Sequence, residues 1–407
     1  MNKETFLQEA KEKESQLIET RHYLHQHAET GFDLTETKAY VKDQLVQMGY
    51  EPKDCGKAGV VALAGGKKPG KVFLIRGDMD ALPMKEEADV EFKSETGNMH
   101  ACGHDMHTTM MLGAARLLKE HEDEICGTVK LMFQPAEEIF SGAHDMIEAG
   151  VLKNPDVDRA LMIHVMAGTP MPAGTVIVTD GGVSASAADF FRITIQGKGC
   201  HGSMPNMGVD PVVPAAHVVT GLQEIQTREL ALDDSAVVTI GSIHGGQAPN
   251  IIPDNVEITG SIRTFDEKIR QYIKDRIEEV SKGIAATFRA EAEVVYYNGC
   301  PVLDNDADLS RCVTVYAKEL LGPQKAFSQG ELLAMSGGKA SKGAGSEDFA
   351  FISQEVPSIM LALAAGEPEK GYVYPQHHPK VKFDESVLAS GSAVYAYTAM
   401  RWLEEHQ

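Results

Sequence analysis

The chain has 407 residues, of which 38 are basic and 59 are acidic, so its formal net charge is −21. A charge of this sign repels phosphate backbones and anionic lipid surfaces, which argues against a nucleic acid or a membrane as a partner. The length exceeds what a single hydrophobic core usually fills, and two domains are therefore expected.

The N-terminal thirty residues are charged and follow a helical period. They lack the uninterrupted apolar stretch of a signal peptide or a membrane span. The six cysteines include no CxxC pair, a pattern typical of free thiols in a reducing compartment. Both observations predict a cytoplasmic protein.

Short apolar runs alternate with helical patterns over the first part of the chain. A long helix is expected over about 3–29, and a second helical pattern follows it. The strand-like runs after these helices are GVVALAG, KVFLIRGD, TVKLMFQPAEE and RALMIHVM. Helical patterns lie between the later runs, and this alternation predicts an α/β fold with a largely parallel sheet and a site at the carboxyl ends of its strands.

The middle of the chain has a different order of elements. Over residues 187–299 the pattern is strand, helix, strand, strand, helix, strand, which predicts a ferredoxin-like α+β domain. Inserting a complete domain into a loop costs little closure entropy. Residues 1–186 and 300–407 are therefore expected to form one α/β catalytic domain, which the smaller domain interrupts.

The densest cluster of potential metal ligands is MHACGHDMHTT, directly before a predicted helix. The side chains of Cys102 and His104 are two residues apart and can reach one cation, and the helix N-terminus favours an ionised thiol. The alternative is a buried cysteine beside capping or core histidines.

A second cluster, FQPAEE, places Glu137 and Glu138 after an apolar strand. Adjacent residues of a regular strand face opposite sides, so both carboxylates can serve one site only if the chain leaves the strand at Pro135. One carboxylate could then bind metal while the other moves protons. A solvated pair in a loop is the alternative.

Further histidines complete a possible ligand set. His164 lies inside an apolar run, where a histidine is more often a hydrogen-bonded core residue, and His377 and His378 precede a proline-containing turn. Together the candidates are Cys102, His104, Glu138, His164 and one histidine of the adjacent pair. Five such ligands would suffice for two cations, and a thiolate, a carboxylate and three imidazoles suit Zn²⁺, Mn²⁺, Co²⁺ or Ni²⁺ better than Ca²⁺ or Mg²⁺.

Eight sequence blocks, in this order, resemble those of the M20 peptidases, in the branch of aminoacylases, hippurate hydrolases and indole-3-acetyl-amino-acid hydrolases. The blocks are RGDMDALPM, HACGHDMHTTMMLGAA, FQPAEE, GKGCHGSMPNMGVDP, GGQAPNIIPD, GSIRTF, GSEDFA and HHPKVKFDE. The resemblance implies a metal-binding α/β domain interrupted by a smaller α+β lid domain that often dimerises.

The resemblance also implies roles for residues of the α/β domain. Glu137 corresponds to the general base. The implied metal ligands are Cys102, His104, Glu138, His164 and His377. His377 is chosen over His378 because the last histidine of the family stands two residues before the proline. Asp80 corresponds to an acidic residue behind the metal ligands, where it would orient a ligand or the base, whereas Asp78 occupies the place of a metal-binding histidine and is expected to be a local structural carboxylate.

In the lid, the resemblance assigns His201 to stabilising the oxyanion, often from a partner subunit. Asn250 and Arg263 are the expected donors to a substrate carboxylate, which guanidinium groups bind bidentately. Two positions depart from the common pattern, because Cys200 replaces a glycine and Asn206 replaces a histidine.

The function implied is that of a metal-dependent amidohydrolase that cleaves N-acyl amino acids to a carboxylic acid and a free amino acid. The expected cofactors are two divalent cations per subunit, with Mn²⁺ or Zn²⁺ favoured over Co²⁺ or Ni²⁺, and the expected assembly is a homodimer through the lid. Two alternatives remain open. One is a dipeptidase or an N-acetyl-diaminopimelate-type deacetylase, and the other is a non-catalytic ligand-binding protein with the same fold.

Overall fold

The computed structural model describes residues 3–338 and 345–407. The helices are α1 (Lys3–Glu12), α2 (Glu14–Gln26), α3 (Thr35–Gln47), α4 (His104–Glu120), α5 (Gly142–Glu148), α6 (Val212–Glu224), α7 (Glu267–Thr287), α8 (Ala307–Leu321), α9 (Gln329–Ser336), α10 (Ala350–Glu355) and α11 (Leu388–Glu405). The strands are β1 (Lys53–Cys55), β2 (Gly59–Gly65), β3 (Val72–Asp78), β4 (Thr128–Gln134), β5 (Arg159–Met166), β6 (Val176–Val178), β7 (Gly182–Ala185), β8 (Ala187–Gln196), β9 (Cys200–His201), β10 (Ala236–Gly245), β11 (Ile251–Ile252), β12 (Asn255–Thr264), β13 (Glu291–Cys300), β14 (Leu303–Asn305), β15 (Ala326–Ser328) and β16 (Ser358–Ala364).

The chain divides into two compact units. The first consists of Met1–Ser184, Asp304–Ser341 and Asp348–Gln407, and the second of Ala185–Leu303 and Lys342–Glu347. Among the described helices, none combines the length and the apolar run that crossing a bilayer requires.

The first unit is built on an eight-stranded sheet in the order β1-β2-β4-β3-β5-β16-β6-β15. Its central strands β4, β3, β5 and β16 are parallel to one another. The pairings of β1 with β2, β2 with β4 and β6 with β16 are antiparallel. Every residue of β3 is buried, as expected for a strand covered on both faces. The predicted α/β fold is therefore confirmed, with a parallel centre and antiparallel additions.

Helices α4 and α11 pack closely within this unit, and both are almost entirely buried. A Cβ atom added at Gly113 of α4 would lie 2.2 Å from the Oγ atom of Ser392 on α11, so a glycine is required for this approach. At the N-terminus, the prediction of a single helix over about 3–29 is wrong in one respect. The helical segment is divided into α1 and α2 at Lys13, whose ψ of 0° lies outside the helical range.

The second unit contains a four-stranded antiparallel sheet in the order β10-β12-β8-β13. Helices α6 and α7 connect its strands and pack against it, with a core that includes Phe191, Ile193 and Ile258. The side chains of Ile273 and Ile277 on α7 are buried one helical turn apart. This order of elements and strands confirms the predicted ferredoxin-like architecture.

Candidate metal centre

The carboxyl ends of the parallel strands carry the polar residues of the first unit. Strand β3 ends at Asp78, β4 ends at Gln134, and His164 lies near the end of β5. Helix α4 begins beside them at His104. The candidate site therefore lies at the sheet edge where ligands bind in open α/β folds.

Two residues that flank a left-handed glycine enter the site together. Gly103, the N-cap residue of α4, has φ of 97°, and a Cβ atom there would lie 2.5 Å from Val165 of β5. Glycine thus permits a close approach of the helix start to the strand. As a result, the Sγ atom of Cys102 lies 3.5 Å from Nε2 of His164.

Hydrogen bonds orient the two histidines that approach Cys102. Nδ1 of His104 lies 2.7 Å from the carbonyl oxygen of Asp80, and Nδ1 of His164 lies 2.7 Å from the carbonyl oxygen of Val165. Since a carbonyl oxygen can only accept, each Nδ1 carries the hydrogen of this bond, and Nε2 is the ring atom available to bind a cation.

The chain leaves β4 through a turn that presents both adjacent carboxylates. Ala136 follows the strand with φ of 55°, a left-handed conformation. The carboxylate of Asp80 accepts the backbone N–H groups of Glu137 (2.9 Å) and Glu138 (3.2 Å). Oε2 of Glu137 and Oε1 of Glu138 each lie 3.9 Å from Nε2 of His104, so the two side chains share one site.

The two adjacent histidines near the C-terminus have different environments. Nε2 of His377 lies 3.6 Å from Oε1 of Glu138, and its backbone N–H donates to Ala101. The ring of His378 instead accepts the N–H of Lys380 and stacks on Tyr374 with the ring centroids 4.2 Å apart. Of the two, His377 is the histidine in reach of the other candidate ligands.

These side chains form two overlapping triads. Within each triad, the three ligand atoms lie within 4.8 Å of one another. The triads are Cys102, His104, His164 and Cys102, Glu138, His377. The structure therefore brings together all five ligands implied by the sequence, with Cys102 common to both triads.

The chemistry of this cluster fits divalent cations. Nε2 of His104 and Oε1 of Glu138 are buried and have no hydrogen-bond partner within the described parts of the chain. Burial raises the pKa of Glu138 to about 7, and burial also raises the pKa of the Cys102 thiol. Unpaired buried groups of this kind are unfavourable, and a cation bound between them would satisfy them.

The surroundings of Cys102 do not by themselves ionise its thiol. The thiol is buried, and burial raises its pKa more than the nearby His104 lowers it. Deprotonation of Cys102 therefore depends on a bound cation rather than on the helix alone.

His107 has a structural role beneath the site. Its Nδ1 atom lies 2.6 Å from Oδ1 of Asp78, and its Nε2 atom accepts the backbone N–H of Val165 at 2.9 Å. Both ring nitrogens are occupied, and burial lowers the pKa of His107 to about 4, so the ring is neutral. Oδ2 of Asp78 accepts a hydrogen bond from Arg76 at 2.6 Å, in keeping with the local structural role expected for this carboxylate.

Sequence reasoning missed the partners of this buried arginine. Arg76 donates to Asp348 at 2.9 Å and to Gln134 at 2.8 Å, and all three side chains are buried. Asp348 belongs to the GSEDFA block and Gln134 to the FQPAEE block, so their presence in these blocks was the available signal.

The remaining candidate residues belong to the second unit. His201 is exposed on β9, where its Nδ1 atom accepts from Ser203. Asn250 is exposed directly before β11, the strand that pairs with β9. Arg263, on β12, is half-buried and donates to Ser346. Within this unit, His201 and Asn250 are neighbours through the paired strands.

A cluster of thiol, imidazole and carboxylate groups with a further carboxylate beside it defines the class of a metal-dependent hydrolase. Residues 74–401 match peptidase family M20/M25/M40. The chain belongs to this family, and it is a hydrolase that acts on amide bonds.

Relatives of known name are similar over nearly the whole chain. The N-acetylcysteine deacetylase of Bacillus subtilis is 35% identical, over 96% of this chain and 97% of the relative. The IAA-amino acid hydrolase ILR1-like 2 of Arabidopsis thaliana is 36% identical, over 96% and 85% of the two chains. Among solved structures, the YXEP protein of Bacillus subtilis, described as a dinuclear metal binding peptidase, has a TM-score of 0.77 at 33% identity and covers 97% of this chain and 99% of its own.

Proposed function

We propose that the protein hydrolyses N-acyl amino acids to a carboxylic acid and a free amino acid, with two divalent cations held at the carboxyl edge of the large sheet. The observation that carries the proposal is the pair of ligand triads that share Cys102, with Glu137 directly beside them. The named relatives that act on acetylated or indole-acetylated amino acids support this substrate class.

In this proposal the cations are held by five side chains. These are Cys102, His104, Glu138, His164 and His377. When bound, the cations polarise the amide carbonyl and lower the pKa of a water molecule at the site. The mixture of thiolate, imidazole and carboxylate donors favours Mn²⁺ or Zn²⁺, with Co²⁺ and Ni²⁺ as further possibilities.

Glu137 is the proposed general base. Its side chain is buried, and its Oε1 atom lies 3.4 Å from the backbone nitrogen of Asp348, which donates to it. The carboxylate takes a proton from the attacking water as the new C–O bond forms. It then delivers that proton to the amide nitrogen as the C–N bond breaks, so that the amine leaves in neutral form.

The roles of the second unit rest on the family resemblance. His201 is proposed to stabilise the oxyanion, and Asn250 and Arg263 to bind the carboxylate of the amino-acid portion. A homodimer formed through the second unit and a cytoplasmic location also remain predictions. Small N-acyl amino acids are then the partners, without nucleic acid or membrane.

The test is hydrolysis of a substrate panel by protein stripped with a chelator. The panel contains acetyl-, benzoyl-, indole-acetyl- and long-chain acyl-amino acids together with dipeptides, each assayed with and without added Mn²⁺, Zn²⁺ or Co²⁺. We expect metal-dependent release of free amino acid from the acylated substrates. Turnover of dipeptides alone would favour the peptidase alternative, and no turnover with any metal would contradict the proposed activity.

Substitution of Glu137 by Gln separates catalysis from metal binding. The amide is nearly isosteric but cannot accept the proton, so kcat should fall by a factor of about 10²–10⁴, while the two cations per chain are retained. Glu148→Gln is the matched control, because Glu148 is an exposed carboxylate on α5 and its loss should leave kcat unchanged. Normal turnover by the Glu137 variant would exclude it as the base.

A further inference from the structure

We propose that Asp348 is a positioning residue that holds the loop carrying the general base in its reactive geometry. The inference rests on the proposed function, since it concerns Glu137. This loop, the base loop, comprises residues 135–141, between the end of β4 and the start of α5.

The carboxylate of Asp348 is bonded to residues at both ends of the base loop. Directly before the loop, Nε2 of Gln134 donates a hydrogen bond to Oδ1 of Asp348 at 2.7 Å. At the far end, its Oδ2 atom accepts the backbone N–H of Ala143 at 3.0 Å. One buried carboxylate therefore fixes the separation of the two loop ends.

The same residue also contacts the base itself. The backbone N–H of Asp348 donates to Oε1 of Glu137 at 3.4 Å. Asp80 holds the base loop from the other side, through the backbone N–H groups of Glu137 and Glu138. Glu137 is thus placed by two carboxylates, neither of which belongs to the two triads that share Cys102.

A buried positive charge stabilises this arrangement. Arg76 lies on β3 with its guanidinium fully buried between two carboxylates, Asp348 at 2.9 Å and Asp78 at 2.6 Å. A buried carboxylate of this kind is unfavourable without a charged partner. If the charge of Asp348 were removed, Arg76 would still be paired with Asp78, so the variant Asp348→Asn is expected to fold.

The role of Asp348 differs from general structural support because both of its oxygens are in use. An asparagine keeps one acceptor oxygen and replaces the other with an NH₂ group. In either orientation this group would face an N–H donor, from Ala143 or from Gln134 and Arg76. One end of the base loop is then released, and small displacements of a catalytic group reduce the rate strongly.

The experiment compares Asp348→Asn with wild type in the cobalt-loaded enzyme. We expect kcat to fall at least tenfold with KM within about twofold, because substrate binding is retained while the base is displaced. The cobalt content and the cobalt absorption spectrum should match wild type. An unchanged kcat, or a loss that only follows lost cobalt, would overturn the proposal.

Asp158→Asn is the matched control. The Asp158 carboxylate also accepts a backbone N–H, that of Val72 at 2.8 Å, but at the opposite end of β3. This variant should retain kcat, and an equal loss in it would mean that general destabilisation explains the result. If Asp348→Asn cannot be isolated in folded form, the variant Gln134→Met is used instead. It removes the hydrogen bond from Gln134 to Asp348, and a several-fold lower kcat is expected. An unchanged kcat in the Gln134 variant would also overturn the proposal.

Hydrogen exchange of the base loop provides a readout that does not depend on activity. In metal-free protein, peptides covering residues 135–143 should exchange at least tenfold faster in Asp348→Asn than in wild type, and at the wild-type rate in Asp158→Asn. Equal exchange in wild type and Asp348→Asn would refute the positioning role. A wild-type enzyme inactive on every amide would instead contradict the proposed function, and the exchange result would stand independently.

Discussion

Substitution of Asp80 by Asn tests whether the base and a ligand are held through their backbone. The two oxygens of Asp80 accept one N–H each, from Glu137 at 2.9 Å and from Glu138 at 3.2 Å. Asparagine keeps a single acceptor, so one N–H group loses its partner and faces another donor. A buried hydrogen bond to a charged group contributes about 1.5–3 kcal/mol.

If this loss appears in metal binding, affinity should fall about 10- to 100-fold, since about 1.4 kcal/mol corresponds to a factor of ten. Calorimetric titration of chelator-stripped protein with Mn²⁺ measures the affinity directly, and urea unfolding of the metal-free protein measures the stability. Asp266→Asn is the control, because that carboxylate also accepts two backbone N–H groups, at the start of α7. Metal affinity within twofold of wild type in the Asp80 variant would refute the reasoning.

Two pH dependences follow from the buried titratable groups. Metal affinity should rise with pH, because burial raises the pKa of Glu138 to about 7 and a cation must displace its proton. Calorimetry in buffers of different ionisation enthalpy should show proton release on metal binding. A metal affinity that stays constant from pH 6 to 8 would contradict this expectation. For His25, burial lowers the pKa, but hydrogen bonds to Asp105 and Glu86 outweigh it and raise the value to about 8. Protonated His25 therefore contributes about 2 kcal/mol of stability below pH 6.5, and this contribution is lost as pH rises through 8. Urea unfolding of wild type and His25→Asn measures the difference in their free energies of unfolding, which should be smaller at pH 9 than at pH 6. A larger difference at pH 9 would contradict the expectation.

Much of the fold could be predicted from hydrophobic patterns because its main elements are long or fully buried. The runs GVVALAG and RALMIHVM coincide with β2 and β5, and the order of elements in the second unit predicts its topology. Strands β6 and β15 were not predicted, since each spans three residues and so short a strand has no detectable period. Their place in the sheet depends on tertiary pairing.

The kinds of residues in the site were readable from motifs, whereas the pairing of the buried residues that support them was not. Arg76 and Asp348 are 272 positions apart in the sequence, and nothing local to either residue indicates a buried ion pair. Similarly, the residue types alone do not distinguish His377 from His378, and only the family resemblance favours His377. In the structure the two differ in their contacts and in their backbone, since His377 lies in the left-handed region with φ of 64°.

Backbone strain is concentrated where the site is built. Ala136, Phe140 and His377 are three of the five non-glycine residues with positive φ in the described parts of the chain, and each such conformation costs about 1–3 kcal/mol. Residue propensities do not predict these conformations, so they persist only where the surroundings determine them. Asp80 and Asp348 supply that constraint around the base loop, and the hydrogen bond from the backbone of His377 to Ala101 supplies it for the last ligand. Stability and the geometry of the site are thus linked at these positions.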